Sequence, residues 1–103
     1  MRTLGLLVIA ALMLGGCAGS ASEDDGRRVL TGIVTTVEAT SLTNVESFTL
    51  RSEGEDFVIE IDPEITYAFP PEHLRAHAIS SEPVRVEVED RSGTLFALTL
   101  EDA

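Results

Sequence analysis

The chain contains two histidines, His73 and His77, both in the segment PPEHLRAHA that runs from Pro70 to Ala78. Four residues apart on a helix means one face. Two imidazoles on one face hold a transition metal if further donors join them: catalytic zinc takes about three protein ligands and structural zinc about four. Glu72, Glu82 or Asp102 could supply the missing donor. The spacing His73-Leu74-Arg75-Ala76-His77 lacks the glutamate of the HExxH zinc motif. The same helix also offers a structural role. Leu74 and Ala78 lie about 40° apart on a wheel and are the expected helix contacts with the core; His77 lies about 60° from Leu74, and His73 about 40° further round. Both rings then flank the buried stripe, where each could donate a hydrogen bond to a core carbonyl while its body covers apolar surface. On sequence alone both readings, metal ligands and structural plug, stay open.

Nothing else in the chain assembles into a reaction centre. There is no G-x-S-x-G and no glycine-rich phosphate loop. The 18 acidic residues are scattered, and Glu46, Glu60, Glu87 and Glu89 fall at outward positions of strands. No catalytic residue and no cofactor are expected, and the chain is not expected to be an enzyme. Cys17 is the single cysteine. An internal disulfide is therefore impossible, and with Cys17 modified no thiol is left for catalysis or metal binding.

The net charge of −11 comes without any lysine. Arg2 aside, six arginines face those acids. Such a surface repels phosphate, which predicts no nucleic-acid partner and no affinity for anionic headgroups. The strands at 45–51 and 57–61 carry Arg51 as their only base, and Phe48 and Phe57 are expected in the core. Stacking platforms for single strands need exposed aromatics in a basic groove. Arg75, Arg85 and Arg91 could make ion pairs or dock a carboxylate.

The first stretch, MRTLGLLVIAALMLGGC, places Arg2 before an apolar run from Leu4 to Leu14, then Gly15, Gly16 and Cys17. The run is shorter than the ~20 residues a membrane span needs. Residues 1–16 read as an export signal. Leu14-Gly15-Gly16-Cys17 resembles the lipobox of bacterial lipoproteins, which implies a diacylglyceryl group on the Cys17 thiol and Cys17 as first mature residue. Two acyl chains suffice for stable anchoring. Residues 17–28 (the lipidated cysteine and AGSASEDDGRR) lack apolar periodicity and read as an acidic tether. Asp24-Asp25-Gly26 lacks the other ligands of a calcium loop.

From residue 29 to 103 the pattern is that of one small domain. Strands are expected at 29–38, 45–51, 57–61, 84–89 and 94–101, with a short extended piece at 65–69. Loops or turns are expected at 39–44, 52–55, 62–64 and 90–93. In the last strand Phe96, Leu98 and Leu100 are expected to point inward. Pro70 and Pro71 suit the first turn of a two-turn helix, with Glu72 favoured there by the helix dipole. Five strands with a helix between the third and fourth is the layout of the OB-fold, an all-β Greek-key barrel. The stretches FTLRSEGEDF, FPPEHLRAHA, PVRVEVEDRSGTLFA and the final EDA resemble a group of short exported bacterial domains, many of them lipid-anchored. That resemblance implies fold and location but carries no chemistry. The expectation is a lipid-anchored, extracytoplasmic module at the cell membrane or outer membrane with a non-catalytic binding or structural role. Its partner would be an envelope protein, a glycan or a small ligand. The alternative is a metal-binding envelope protein using His73 and His77.

Overall fold

The computed structural model describes residues 26–103. The leader, Cys17 and most of the tether lie outside the described residues, and so does the expected lipidation. Five strands close into a barrel: β1 (Arg27–Ser41), β2 (Asn44–Ser52), β3 (Glu55–Glu60), β4 (Val84–Arg91) and β5 (Thr94–Asp102). Their order around the barrel is β1-β2-β3-β5-β4, with β4 returning to β1. Every pairing is antiparallel except β3 with β5, which is parallel through Ile59 opposite Leu95 and Glu60 opposite Phe96. A 3₁₀ turn (Pro71–His73) leads into α1 (Leu74–Ser80), the one α-helix among the described residues, between β3 and β4. This is the five-stranded, OB-like, all-β barrel expected from the strand order.

The first strand is what lets the sheet close. Its first six residues, Arg27 to Gly32, pair with β4, and from Ile33 onward it pairs with β2. Gly32 stands at the change of partner. A Cβ there would lie 2.2 Å from the Arg51 carbonyl oxygen, so only glycine lets the two backbones approach this closely. The Ser52 hydroxyl seals the seam by donating to the Thr31 carbonyl at 2.7 Å. β1 begins at Arg27, so Arg27 and Arg28, read as tether, belong to the barrel opposite Glu89 and Val88. It also runs to Ser41. The loop expected at 39–44 shrinks to Leu42-Thr43, because register shifts between Val34 and Ser41 let the strand bend without ending.

All three hairpins turn on two residues, and glycine marks the β2–β3 and β4–β5 turns. Glu53-Gly54 and Ser92-Gly93 all have positive φ, as the I′ turn requires for both central residues. The interior is filled by alternate residues: Val84, Val86 and Val88 of β4, Phe48 and Leu50 of β2, Ile59 of β3, and Ala97 and Leu100 of β5. Phe57 is only half-buried, against the expectation that it sits in the core. In β5 the expected inward face is wrong over its first half. Glu87 pairs with Thr99 but Val88 with Ala97, so Leu98 is an extra residue and the two halves of the strand are out of phase. Leu95 and Ala97 point inward, while Phe96 lies outside under the Arg91 guanidinium at 4.4 Å. The piece at 65–69 has no regular structure, and the Tyr67 hydroxyl holds it with two hydrogen bonds.

Candidate functional site

The segment Phe69 to Glu82 is built to present two imidazoles at one end of the barrel. Pro70 is extended and Pro71 takes the first helical position, where no N–H donor is needed. Leu74 then drops into the barrel and is fully buried; Ala78 packs against the same core at its edge. Ser81 ends α1 in the left-handed conformation and donates its N–H to the His77 carbonyl at 2.9 Å. The next residue donates its N–H to the Ser80 hydroxyl at 3.2 Å. These caps aim the Glu82 carbonyl back at the helix.

His77 lies between that carbonyl and the end of β5. Its Nδ1 is 2.8 Å from the Glu82 carbonyl oxygen and its Nε2 is 2.7 Å from Asp102 Oδ1. The His77 side chain is 5% exposed, whereas that of Asp102 is 69% exposed. A carbonyl accepts only, so Nδ1 donates to it. At 2.7 Å, Nε2 and the Asp102 carboxyl are joined through one shared proton. His73 sits one turn earlier and is half exposed, with Nε2 at 3.9 Å from the same Asp102 oxygen. Phe69 completes the cluster, edge-on to His73 at 4.7 Å and stacked on His77 at 5.7 Å between ring centroids. One donor atom from each of His73, His77 and Asp102 falls within 4.8 Å of the others. Of the three carboxylates that sequence offered as a third donor, the fold selects Asp102. Glu82 contributes its backbone and Glu72 stays outside the cluster. Two of the stretches quoted above, FPPEHLRAHA and EDA, thus meet in space.

A second concavity lies along β2, β3 and the 61–67 segment. It is a cleft of about 780 Å³ whose walls include Glu46, Glu60, Asp62, Ile65, Tyr67 and Pro70. No arginine lines it. Among the described residues Glu46 and Glu60 pair with no base. Asp62 is held well below the usual carboxylate range, first by the Glu64 N–H it accepts at 2.9 Å and then by the Arg91 guanidinium at 2.9 Å. The Tyr67 hydroxyl accepts from the Asp62 N–H at 2.9 Å and donates to the Ala97 carbonyl at 2.8 Å. Burial pushes its phenol upward. Sequence reasoning missed this cleft, since its acidic residues read as outward strand positions.

The arginines marked as docking candidates are engaged within the chain. Arg85 pairs with Glu101 at 2.8 Å, Arg91 with Asp62 and Glu89, and Arg75 donates to the Ser41 carbonyl at 3.2 Å. No helix among the described residues is long and apolar enough to cross a membrane.

No protein-family model matches the chain, and neither does any curated protein. Among solved structures it is similar to the crystal structure of a full-length MCM homolog from Methanopyrus kandleri, with a TM-score of 0.50 and 18% identity. The alignment covers 75% of this chain and 14% of that one. At this identity the likeness shows the fold alone. One expectation is corrected by the fold, the exclusion of nucleic acid as a partner, because the surface it was argued from is not the one the barrel presents. That exclusion rested on whole-chain charge and on counting Arg51 as the only base of the second and third strands. The barrel brings a base from another strand to that surface: Arg28 of β1 lies 5.2 Å over the half-buried Phe57 ring of β3.

Proposed function

We propose that this chain is a lipid-anchored, extracytoplasmic module of the cell envelope that binds a partner protein without catalysis. The cleft beside β2 and β3 carries the binding half of the reading. Glu46 and Glu60 supply negative charge with no base beside them, while Ile65, Tyr67 and the proline pair give an apolar wall. That combination suits a segment of a partner that carries lysine or arginine, since opposite charge speeds encounter and sets register. Tyr67 is spent on two hydrogen bonds and Asp62 on Arg91, which suits a rigid wall rather than a reacting group. The anchoring half rests on the leader and Cys17. Two acyl chains on that cysteine would hold the acidic barrel at a surface for which it has no electrostatic affinity.

The test of binding uses a fluorescent hexa-arginine peptide and the full chain. Glu46→Gln/Glu60→Gln is compared with Glu53→Gln/Glu55→Gln, which removes the same charge from the exposed β2–β3 hairpin. The cleft variant is expected to weaken binding about tenfold and the hairpin variant by less than about twofold. Equal losses would reduce the binding to bulk charge and sink the cleft. A single-stranded oligonucleotide is run in parallel, and tight binding of it in place of the peptide would also overturn this reading. For the anchor, Cys17→Ser is expected to move the protein out of the membrane fraction; unchanged retention would refute lipidation.

A further inference from the structure

We infer that His73, His77 and Asp102 form a binding site for a borderline divalent metal ion, zinc above all, separate from the acidic cleft. Three observations converge. The first is the donor set. Two imidazoles and one carboxylate present donor atoms within 4.8 Å of one another. Imidazole suits zinc and its transition-metal neighbours, whereas calcium and magnesium prefer all-oxygen sites.

The second is the orientation of His77. Metal-bound histidines almost always donate their other ring N–H to a carbonyl or carboxylate, which fixes the tautomer and aims the free nitrogen. His77 has this arrangement already, with Nδ1 at 2.8 Å from the Glu82 carbonyl and the opposite nitrogen aimed at Asp102 and toward His73. The helix caps and the Phe69 ring hold it there. Of the three groups, only the one needing fixed geometry is buried.

The third is the freedom of the other two. Ligand atoms about 2.1 Å from a tetrahedral ion sit about 3.4 Å apart. The Asp102 oxygen is 2.7 Å from His77 and 3.9 Å from His73. Seating an ion therefore requires Asp102 to back off and His73 to close in by roughly half an ångström or more. Their side chains are 69% and 43% exposed; Asp102 is held by the His77 contact that the ion replaces, and His73 by edge-on ring contacts that allow it to shift. The ion takes the position of the proton shared between His77 and Asp102, and that proton leaves to solvent. Three protein ligands leave a fourth position facing solvent, where water completes the shell.

The test is a titration with zinc alone of the full chain carrying Cys17→Ser, so that no thiol competes. One ion per chain is expected with a Kd of about 10 μM or tighter. In NMR the Nε2 signals of both imidazoles should move while His77 keeps its Nδ1 proton. His73→Gln and Asp102→Asn, which both act at exposed side chains, should each weaken binding at least about tenfold. Magnesium at the same concentration should produce none of these shifts. Absence of saturable zinc binding, or binding unchanged by either substitution, overturns the three-ligand site. A loss in His73→Gln with none in Asp102→Asn overturns it as well.

Discussion

The connection between β3 and β4 is fastened to the barrel twice, by opposite means. Its first half, residues 61–69, is tied chiefly by the polar groups of Asp62 and Tyr67, beside the core packing of Ile61 and Phe69. Tyr67 bridges the Asp62 N–H to the Ala97 carbonyl, and the Asp62 carboxylate takes the Glu64 N–H and the Arg91 guanidinium. Its second half, Pro71 to Ser80, is tied by burial. Leu74 fills the barrel mouth and His77 lies flat between Phe69 and β5. The polar half forms one wall of a cleft. The apolar half leaves two ligand-capable groups, His73 and Asp102, exposed at the surface beside His77. A network whose partners are all taken fixes a shape. A buried plug carries the fold by itself, so polar side chains beside it are available for something else.

The contrast makes Leu74→Ala the most damaging single change in the connection. Leu74 is fully buried and reaches the core from outside the sheet. Losing its branch, the γ carbon and both methyls, removes the transfer term and leaves a cavity, at a cost of about 2–5 kcal/mol. For a domain this small that is a large share of total stability. Urea denaturation is the measurement. A cost below about 1 kcal/mol would mean that α1 rests on the barrel without plugging it.

Tyr67→Phe should cost less, about 1–3 kcal/mol, because it keeps the ring and deletes only a hydroxyl. The loss comes from the Asp62 N–H and the Ala97 carbonyl, which are left without their partner. If it matched Leu74→Ala, the polar half would be holding the fold as strongly as the plug, and the division drawn above would fail.

Much of this was legible beforehand, and the parts that were not have a common cause. Period-two alternation marked β2, β3 and β4, and glycine marked two hairpins, because both signals are local. The face of β5 was misread because one extra residue, Leu98, inverts the phase, and a bulge depends on the partner strand. The long β1 was cut short for the same reason, with its register shifts set by β2. At the candidate site the spacing of His73 and His77 was visible. That Asp102 would join them, some 25 residues beyond His77, depended on β5 running back past the helix. The cleft was invisible because Glu46 belongs to β2 and Tyr67 to a segment without regular structure. The engagement of Arg91 with Asp62 spans 29 residues and leaves no local pattern either.

The smallest expected effect concerns the charge in the polar half. Asp62 is held below its ordinary range in the fold, by the Glu64 N–H first and Arg91 second. The ionised form is thus favoured by the folded state, and its contribution is fully present above the unfolded carboxylate range near about 4. It is lost as the pH falls through the lower folded value, since the proton is then bound in both states. The groups facing the carboxylate are the Glu64 N–H and Arg91, itself shared with Glu89, with the Tyr67 phenol as the other titratable group beside it. Arg91 is pushed upward by the same pairing and stays charged throughout. Asp62→Asn keeps an oxygen for the Glu64 N–H and removes only the charge. Melting temperatures of the two proteins should therefore differ at neutral pH, with the wild type higher, and converge as the solution is acidified below about pH 4. The gap should also shrink in high salt, because the Arg91 side chain is 39% exposed and its pairing is screened. A gap that stays constant down to the lowest pH would show that Asp62 works through its shape alone, and that the polar half owes nothing to an ion pair.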